Sequence, residues 1–141
     1  MKLGRLNHVG VATPSIADTL ATYRALYGVT DEDITHIGAM PAQGVTVTFV
    51  NVPNSQIELI EPLGPDSPIA KFLEKNPAGG QHHVCFEVPD IHVAREEMKA
   101  AGATILGEPR IGAHGTLIIF IHPKNSHGVL IELMESPKEP H

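Results

Sequence analysis

One cysteine, Cys85, and no tryptophan occur in the 141 residues. A single thiol excludes an internal disulfide and a structural zinc site of the multi-cysteine type, and it points to a reducing, cytoplasmic compartment. No apolar run reaches the roughly 18 residues of a membrane-spanning helix. The start, MKLGRLNHVG, lacks the apolar stretch of a signal peptide. A formal charge of −6 leaves no positive excess on which to build a nucleic-acid groove. No membrane and no nucleic-acid partner are therefore expected. Apolar residues make up 42% and charged residues 18%, enough to bury a core in one soluble domain. Histidine is what the chain has in quantity, with nine copies. Any metal it binds must be held by nitrogen and oxygen.

Two copies of one plan run through the sequence. Around His8, the stretch from Leu6 to Ile16 matches that from Gln81 to Ile91. His, Val, Pro and Ile recur in register 75 residues later. Ile57-Glu58-Leu59 recurs as Ile131-Glu132-Leu133 at an offset of 74. Each copy reads as a strand, a helix and three further strands. The first strand spans about 5–13, and Ser15 caps a helix whose stripe is Ile16, Leu20, Tyr23 and Tyr27, stopped by Gly28. Strands follow near 34–39, 44–51 and 55–61. In the second copy a strand near 81–88 leads to Asp90 as cap, then Ile91, Ala94, Met98 and Ala101, with Gly102 as stop. Strands follow near 103–107, 115–122 and 128–134, separated by Gly and Pro turns.

Between the copies, Ser67 and Pro68 start a short connector helix that buries Ile69, Phe72 and Leu73. The expected organisation is a single domain over 1–141. Module one covers about 1–63, the connector about 64–77 and module two about 78–136. The fold class is α+β, with paired βαβββ modules forming a concave mixed sheet.

Strand alternation sorts the side chains by face. Val84, Phe86 and Val88 share the face beneath the helices, and His83, Cys85 and Glu87 the other. Val9 and Val11 oppose His8, Gly10 and Ala12 in the same way. Ile57 and Leu59 oppose Glu58 and Ile60, while Ile131 and Leu133 oppose Leu130, Glu132 and Met134. Pseudo-twofold packing would gather His8, His83, Glu58 and Glu132 as nitrogen and oxygen ligands for a divalent metal with open positions. His82 points to the opposite face and is structural. His36, His92, His114, His122 and His127 have no repeat partner and take surface or loop roles, with His114, in a glycine-rich loop, a candidate for touching substrate. His141 ends a Pro- and charge-rich tail and is set aside. Cys85 reads as a small buried residue.

These residues resemble the vicinal oxygen chelate superfamily, which includes glyoxalase I and the extradiol dioxygenases. Several blocks are similar to the methylmalonyl-CoA epimerase family in particular. They are Asn7–Ala12, Glu58–Leu63, Asp66–Leu73, His82–Val88, Glu108–Gly115, His122–Lys124 and Gly128–Leu133. They span nearly the whole chain in order. The resemblance implies interconversion of (2R)- and (2S)-methylmalonyl-CoA by proton abstraction and return at C2 through a metal-stabilised enolate. It also implies an acyl-CoA substrate, a homodimer and a divalent ion, with cobalt favoured and zinc, nickel or manganese possible. His8, His83 and Glu132 match the family's metal ligands, and Glu58 a fourth position. Where several members carry a catalytic Glu after the Gln-Gly pair, this chain has Val47.

Epimerisation needs proton traffic on both faces of a planar enolate. Glu58 takes the role lost at Val47 on this reading, with Glu132 as ligand and partner base. Whether Glu58 is ligand, base or both stays open. Lys71, Lys75, Arg110 and Lys124 are candidate contacts to the CoA phosphates. A glyoxalase-type isomerase of a thiol hemithioacetal, oxygen activation at Fe(II), and a ligand-sequestering module on the same fold are the alternative readings.

Overall fold

The computed structural model describes residues 1–138, so His141 lies outside the described residues. The first copy of the repeat folds as β1 (Leu6–Ala12), α1 (Ile16–Tyr27), β2 (Ile34–Met40), β3 (Val45–Val52) and β4 (Ser55–Pro62). The connector helix is α2 (Pro68–Lys75). The second copy is β5 (Gly80–Val88), α3 (Ile91–Ala100), β6 (Ile105–Ile111), β7 (Leu117–Ile121) and β8 (Ile131–Glu135). This is the expected α+β class with two βαβββ modules and a mixed sheet.

Contacts gather the chain into two compact units, one of residues 9–82 and one joining Met1–His8 to the chain from His83 onward. In the first of these the strands run in the order β2-β3-β4-β1. β3 and β4 form an antiparallel hairpin that turns at Pro53-Asn54. β2 pairs with β3 across a bulge between His36 and Gly38. Ile16 and Leu20 of α1 pack on Val50 and Leu59. In the second unit the order is β5-β8-β7-β6, with β5 parallel to β8 and the other pairs antiparallel. Ile91 and Ala94 of α3 cover Val88, Ile119, Ile121 and Leu133. The opposite face of the same strands buries Cys85, Ile118 and Met134 beside Phe120. The alternation read from the sequence therefore sorts both faces correctly, and Cys85 is a buried core residue.

Helix starts follow the expected side-chain chemistry. The Ser15 hydroxyl accepts from Asp18 N–H, Ser67 from Ile69 N–H, and Asp90 from the amides of His92 and Val93. Gly28 closes α1 in the left-handed region at φ 71°. A further pair of bonds extends the repeat. The amide of Ile16 donates to Glu61 Oε1 at 2.8 Å, and that of Ile91 to Glu135 Oε2 at 3.1 Å. In each copy the last strand thus sends a carboxylate to the positive end of the helix.

The differences are local. Tyr27 is 69% exposed, so the stripe of α1 ends at Tyr23, against whose ring Tyr27 stands edge-on. α3 stops at Ala100 and leaves Ala101 exposed. Of the three apolar residues expected to be buried in the connector, Ile69 is buried, while Phe72 and Leu73 are half-buried because α2 is a short surface helix. β6 continues past Gly107 to Ile111, since a register shift between Leu106 and Arg110 absorbs the left-handed glycine. β8 begins at Ile131 because His127 and Gly128 are both left-handed and belong to the preceding turn.

Glu61→Ala and Glu135→Ala should each cost about 1 kcal/mol of stability in urea melts, as loss of a helix-start acceptor does. A loss below about 0.3 kcal/mol at both positions would contradict this role.

Candidate metal centre

The outward alternation of β5 places His83 and Cys85 on the face away from α3. The parallel register sets Cys85 opposite Glu132 on β8. His8, in the first part of β1, which belongs to the same unit as β8, completes a cluster. Its Nε2 lies 3.1 Å from Glu132 Oε1, and His83 Nε2 lies 3.0 Å from the same oxygen. The two Nε2 atoms are 3.2 Å apart, with the rings edge-to-face. His8, His83 and Glu132 are 1%, 3% and 5% exposed.

This spacing fits a shared ion. Ligands held about 2.1 Å from one divalent metal stand about 2.9–3.4 Å from each other, depending on geometry. Two imidazole nitrogens and one carboxylate oxygen suit a first-row transition metal. Burial alone would raise the Glu132 pKa, but hydrogen bonds with His8 and His83, and their charge when protonated, hold it well below the usual carboxylate range. Because the native value is depressed, the stability this carboxylate contributes in the metal-free protein is complete above its ordinary value of 4.5. It is lost as pH falls towards the native value.

The remaining candidates fall in several places. Glu58 is buried on β4, paired with Phe49 across the hairpin of the other unit. His114 stacks on His8, ring centroids 5.5 Å apart and nearly parallel, so this loop histidine covers a candidate ligand. Arg110 lies over the Phe120 ring, which in turn stands edge-on to His83. Lys71 and Lys75 on α2 and Lys124 in the turn after β7 are exposed. His82 packs on Phe72, as befits its structural reading. His36 pairs with Thr48, and His122 Nδ1 accepts from Lys124 N–H. Val47 is fully buried between Gly38 and Ile60.

Sequence reasoning missed Asn7, whose Oδ1 lies 2.7 Å from His8 Nδ1, and its partner Glu87. Adjacent strand residues were assigned to opposite faces, so only the side-chain geometry shows the contact.

Residues 7–120 match the model of the glyoxalase/bleomycin resistance protein/dioxygenase superfamily. Over 136 residues the chain is 52% identical to an ethylmalonyl-CoA/methylmalonyl-CoA epimerase of Cereibacter sphaeroides, covering 93% of this chain and 97% of the relative. The chain belongs to the methylmalonyl-CoA epimerase family. A mitochondrial methylmalonyl-CoA epimerase of Mus musculus is 47% identical, covering 96% of this chain and 75% of its own length. A methylmalonyl-CoA epimerase solved with methylmalonyl-CoA and NH4+ superposes with a TM-score of 0.86 at 33% identity, covering 97% of each chain. The methylmalonyl-CoA epimerase family resemblance drawn from the sequence blocks is thus the correct one.

Equilibrium dialysis with Co2+ should retain about one ion per wild-type chain, and His83→Ala should lose it at low micromolar metal. Equal retention by both would contradict the cluster's role. In the metal-free protein, stability should fall more steeply as pH drops below about 4.5 for wild type than for Glu132→Gln. Identical slopes would contradict the assigned shift.

Proposed function

We propose that the chain is a metal-dependent epimerase that interconverts (2R)- and (2S)-methylmalonyl-CoA. The observation that carries this reading is the buried pair of imidazoles around one carboxylate oxygen, in a chain of this family. His8, His83 and Glu132 would hold the ion, with Glu58 as a fourth ligand from the equivalent Ile-Glu-Leu segment of the first repeat. Cobalt is the ion we favour. A divalent ion supplies a Lewis acid that stabilises negative charge developing on the substrate's thioester oxygen.

The chain's own residues must move the proton. The C2 proton lies between a thioester and a carboxylate, and its removal adds charge beside an existing anion. Inversion requires an acid and a base on opposite faces of the planar carbon. Val47 has no proton to exchange, so Glu58 takes the proton on one face and Glu132 serves the other. Both carboxylates would also hold the ion, so ligation does not rank them; Glu58 is assigned as the principal base because it takes the role absent at Val47. Burial of His8, His83 and Glu132 excludes bulk water and strengthens each charge interaction there. Arg110, Lys71 and Lys124 are proposed contacts for the anionic substrate, and His114 a contact beside the ligand His8.

The two repeats act as a single domain in this reading, and the enzyme is a cytoplasmic homodimer. No helix among the described residues is long and apolar enough to cross a membrane.

Incubation with methylmalonyl-CoA in deuterium oxide tests the reaction. Deuterium should enter C2 with wild type, stop after chelation and return on adding Co2+. Ethylmalonyl-CoA, the second substrate in the name of the Cereibacter sphaeroides relative, belongs in the same assay as a measure of acyl-chain tolerance. Glu58→Gln should slow exchange at least about 100-fold, the scale of one lost acid–base group. Exchange insensitive to chelator would contradict the metal's part, and unchanged turnover of Glu58→Gln would remove Glu58 as the base.

A further inference from the structure

Behind His8 runs a chain of buried polar groups that points in one direction. Asn7 is fully buried, its Oδ1 2.7 Å from His8 Nδ1. Asn7 Nδ2 donates to Glu87 Oε2 at 2.8 Å, and Arg5 Nε lies 3.2 Å from the same oxygen. A carboxylate beside an arginine accepts hydrogen bonds and cannot donate. The amide nitrogen of Asn7 must therefore face Glu87, and its oxygen must face His8. An amide oxygen also only accepts, so the proton between Asn7 and His8 belongs to His8 Nδ1. A neutral His8 is then left with its lone pair on Nε2, the atom that faces His83 and Glu132.

The carboxylate end of the chain is fixed by main chain. Gly4 N–H donates to the Glu87 carbonyl at 2.7 Å, and Glu87 N–H donates to the Arg5 carbonyl at 3.0 Å. A Cβ on Gly4 would stand 2.7 Å from that Glu87 carbonyl, so the close approach requires glycine.

We propose that Arg5, Glu87 and Asn7 form a directional relay that locks His8 in its Nδ1–H tautomer and aims Nε2 at the metal. Asn7 is the positioning residue, and Glu87 sets the orientation of Asn7. The inference rests on His8 being a metal ligand and deepens that reading. Ligand histidines draw affinity from a fixed partner on the far nitrogen, and loss of such a partner typically weakens binding about 10–100-fold.

Two measurements test it. In the metal-free wild type at alkaline pH, long-range proton–nitrogen NMR should show His8 protonated at Nδ1 and bare at Nε2. An Nε2–H tautomer would overturn the relay, whether or not any variant folds. Cobalt titrations then compare Asn7→Asp, Glu87→Gln and the double variant, each checked for native circular dichroism. Asn7→Asp sets two carboxylates against each other, and Glu87→Gln lets the Asn7 amide turn over. Each single change should raise the Co2+ dissociation constant about 10–100-fold. The double variant lets an amide nitrogen at position 87 donate to the carboxylate at position 7, which still accepts from His8 Nδ1. It gives up the Arg5 contact that shares that position-87 atom, and it should recover part of the loss. Single variants that bind like wild type, or a double variant no better than the worse single, would overturn the relay alone. A wild type that binds no Co2+ would overturn the metal centre itself and, with it, the relay's purpose.

Discussion

Glu132 Oε1 receives two imidazole nitrogens at 3.0 and 3.1 Å in a place that water scarcely reaches. Concentrating three such groups in a dry interior is costly unless charge and hydrogen bonds are matched around them. Much of the second unit can be understood as meeting that condition. The parallel β5–β8 register sets the carboxylate beside β5, and the relay from Arg5 through Glu87 and Asn7 satisfies the far side of His8. His114 stacks over His8, and Phe120 stands edge-on to His83. A divalent ion suits the remaining lone pairs, and two imidazoles with a carboxylate form a donor set that retains open positions for a substrate.

The strands carry this site by keeping their two faces chemically distinct. Beneath α3, Val88, Ile119, Ile121 and Leu133 form an apolar core with Ile91 and Ala94. The other face of the same strands holds His83, Glu132, Cys85 and Met134. Because the side-chain period is two, a slip of one residue would exchange the two sets, burying charge under the helix. The helix-facing core thus fixes the register that the polar site requires. The carboxylates of Glu61 and Glu135 tie each helix start to the last strand of its own repeat.

Much of this was legible in the sequence because it is periodic. The offsets of 75 and 74 identified His8 with His83 and Glu58 with Glu132, and alternation put His83 and Glu132 on the correct face. Caps at Ser15, Ser67 and Asp90 were readable from local chemistry. The repeat also held an unread signal: Glu61 and Glu135 stand at the same offset of 74, and both accept from a helix amide. The Asn7–Glu87 bond was not readable, since it joins residues 80 apart and depends on which way an amide is turned. Neither was the extension of β6 through Gly107, where a bulge lets a turn-forming glycine sit within a strand. The stacking of His114 on His8 depends on a loop's path, which periodicity does not describe.

In the proposed site His8, His83 and Glu132 hold one metal ion, the two histidines through Nε2. X-ray absorption at the cobalt edge of the Co2+-loaded wild type tests it most directly. The expected spectrum has a nitrogen and oxygen shell with outer-shell scattering from two imidazoles, falling to one imidazole in His8→Ala. A sulfur shell, or a spectrum unchanged in His8→Ala, would contradict it.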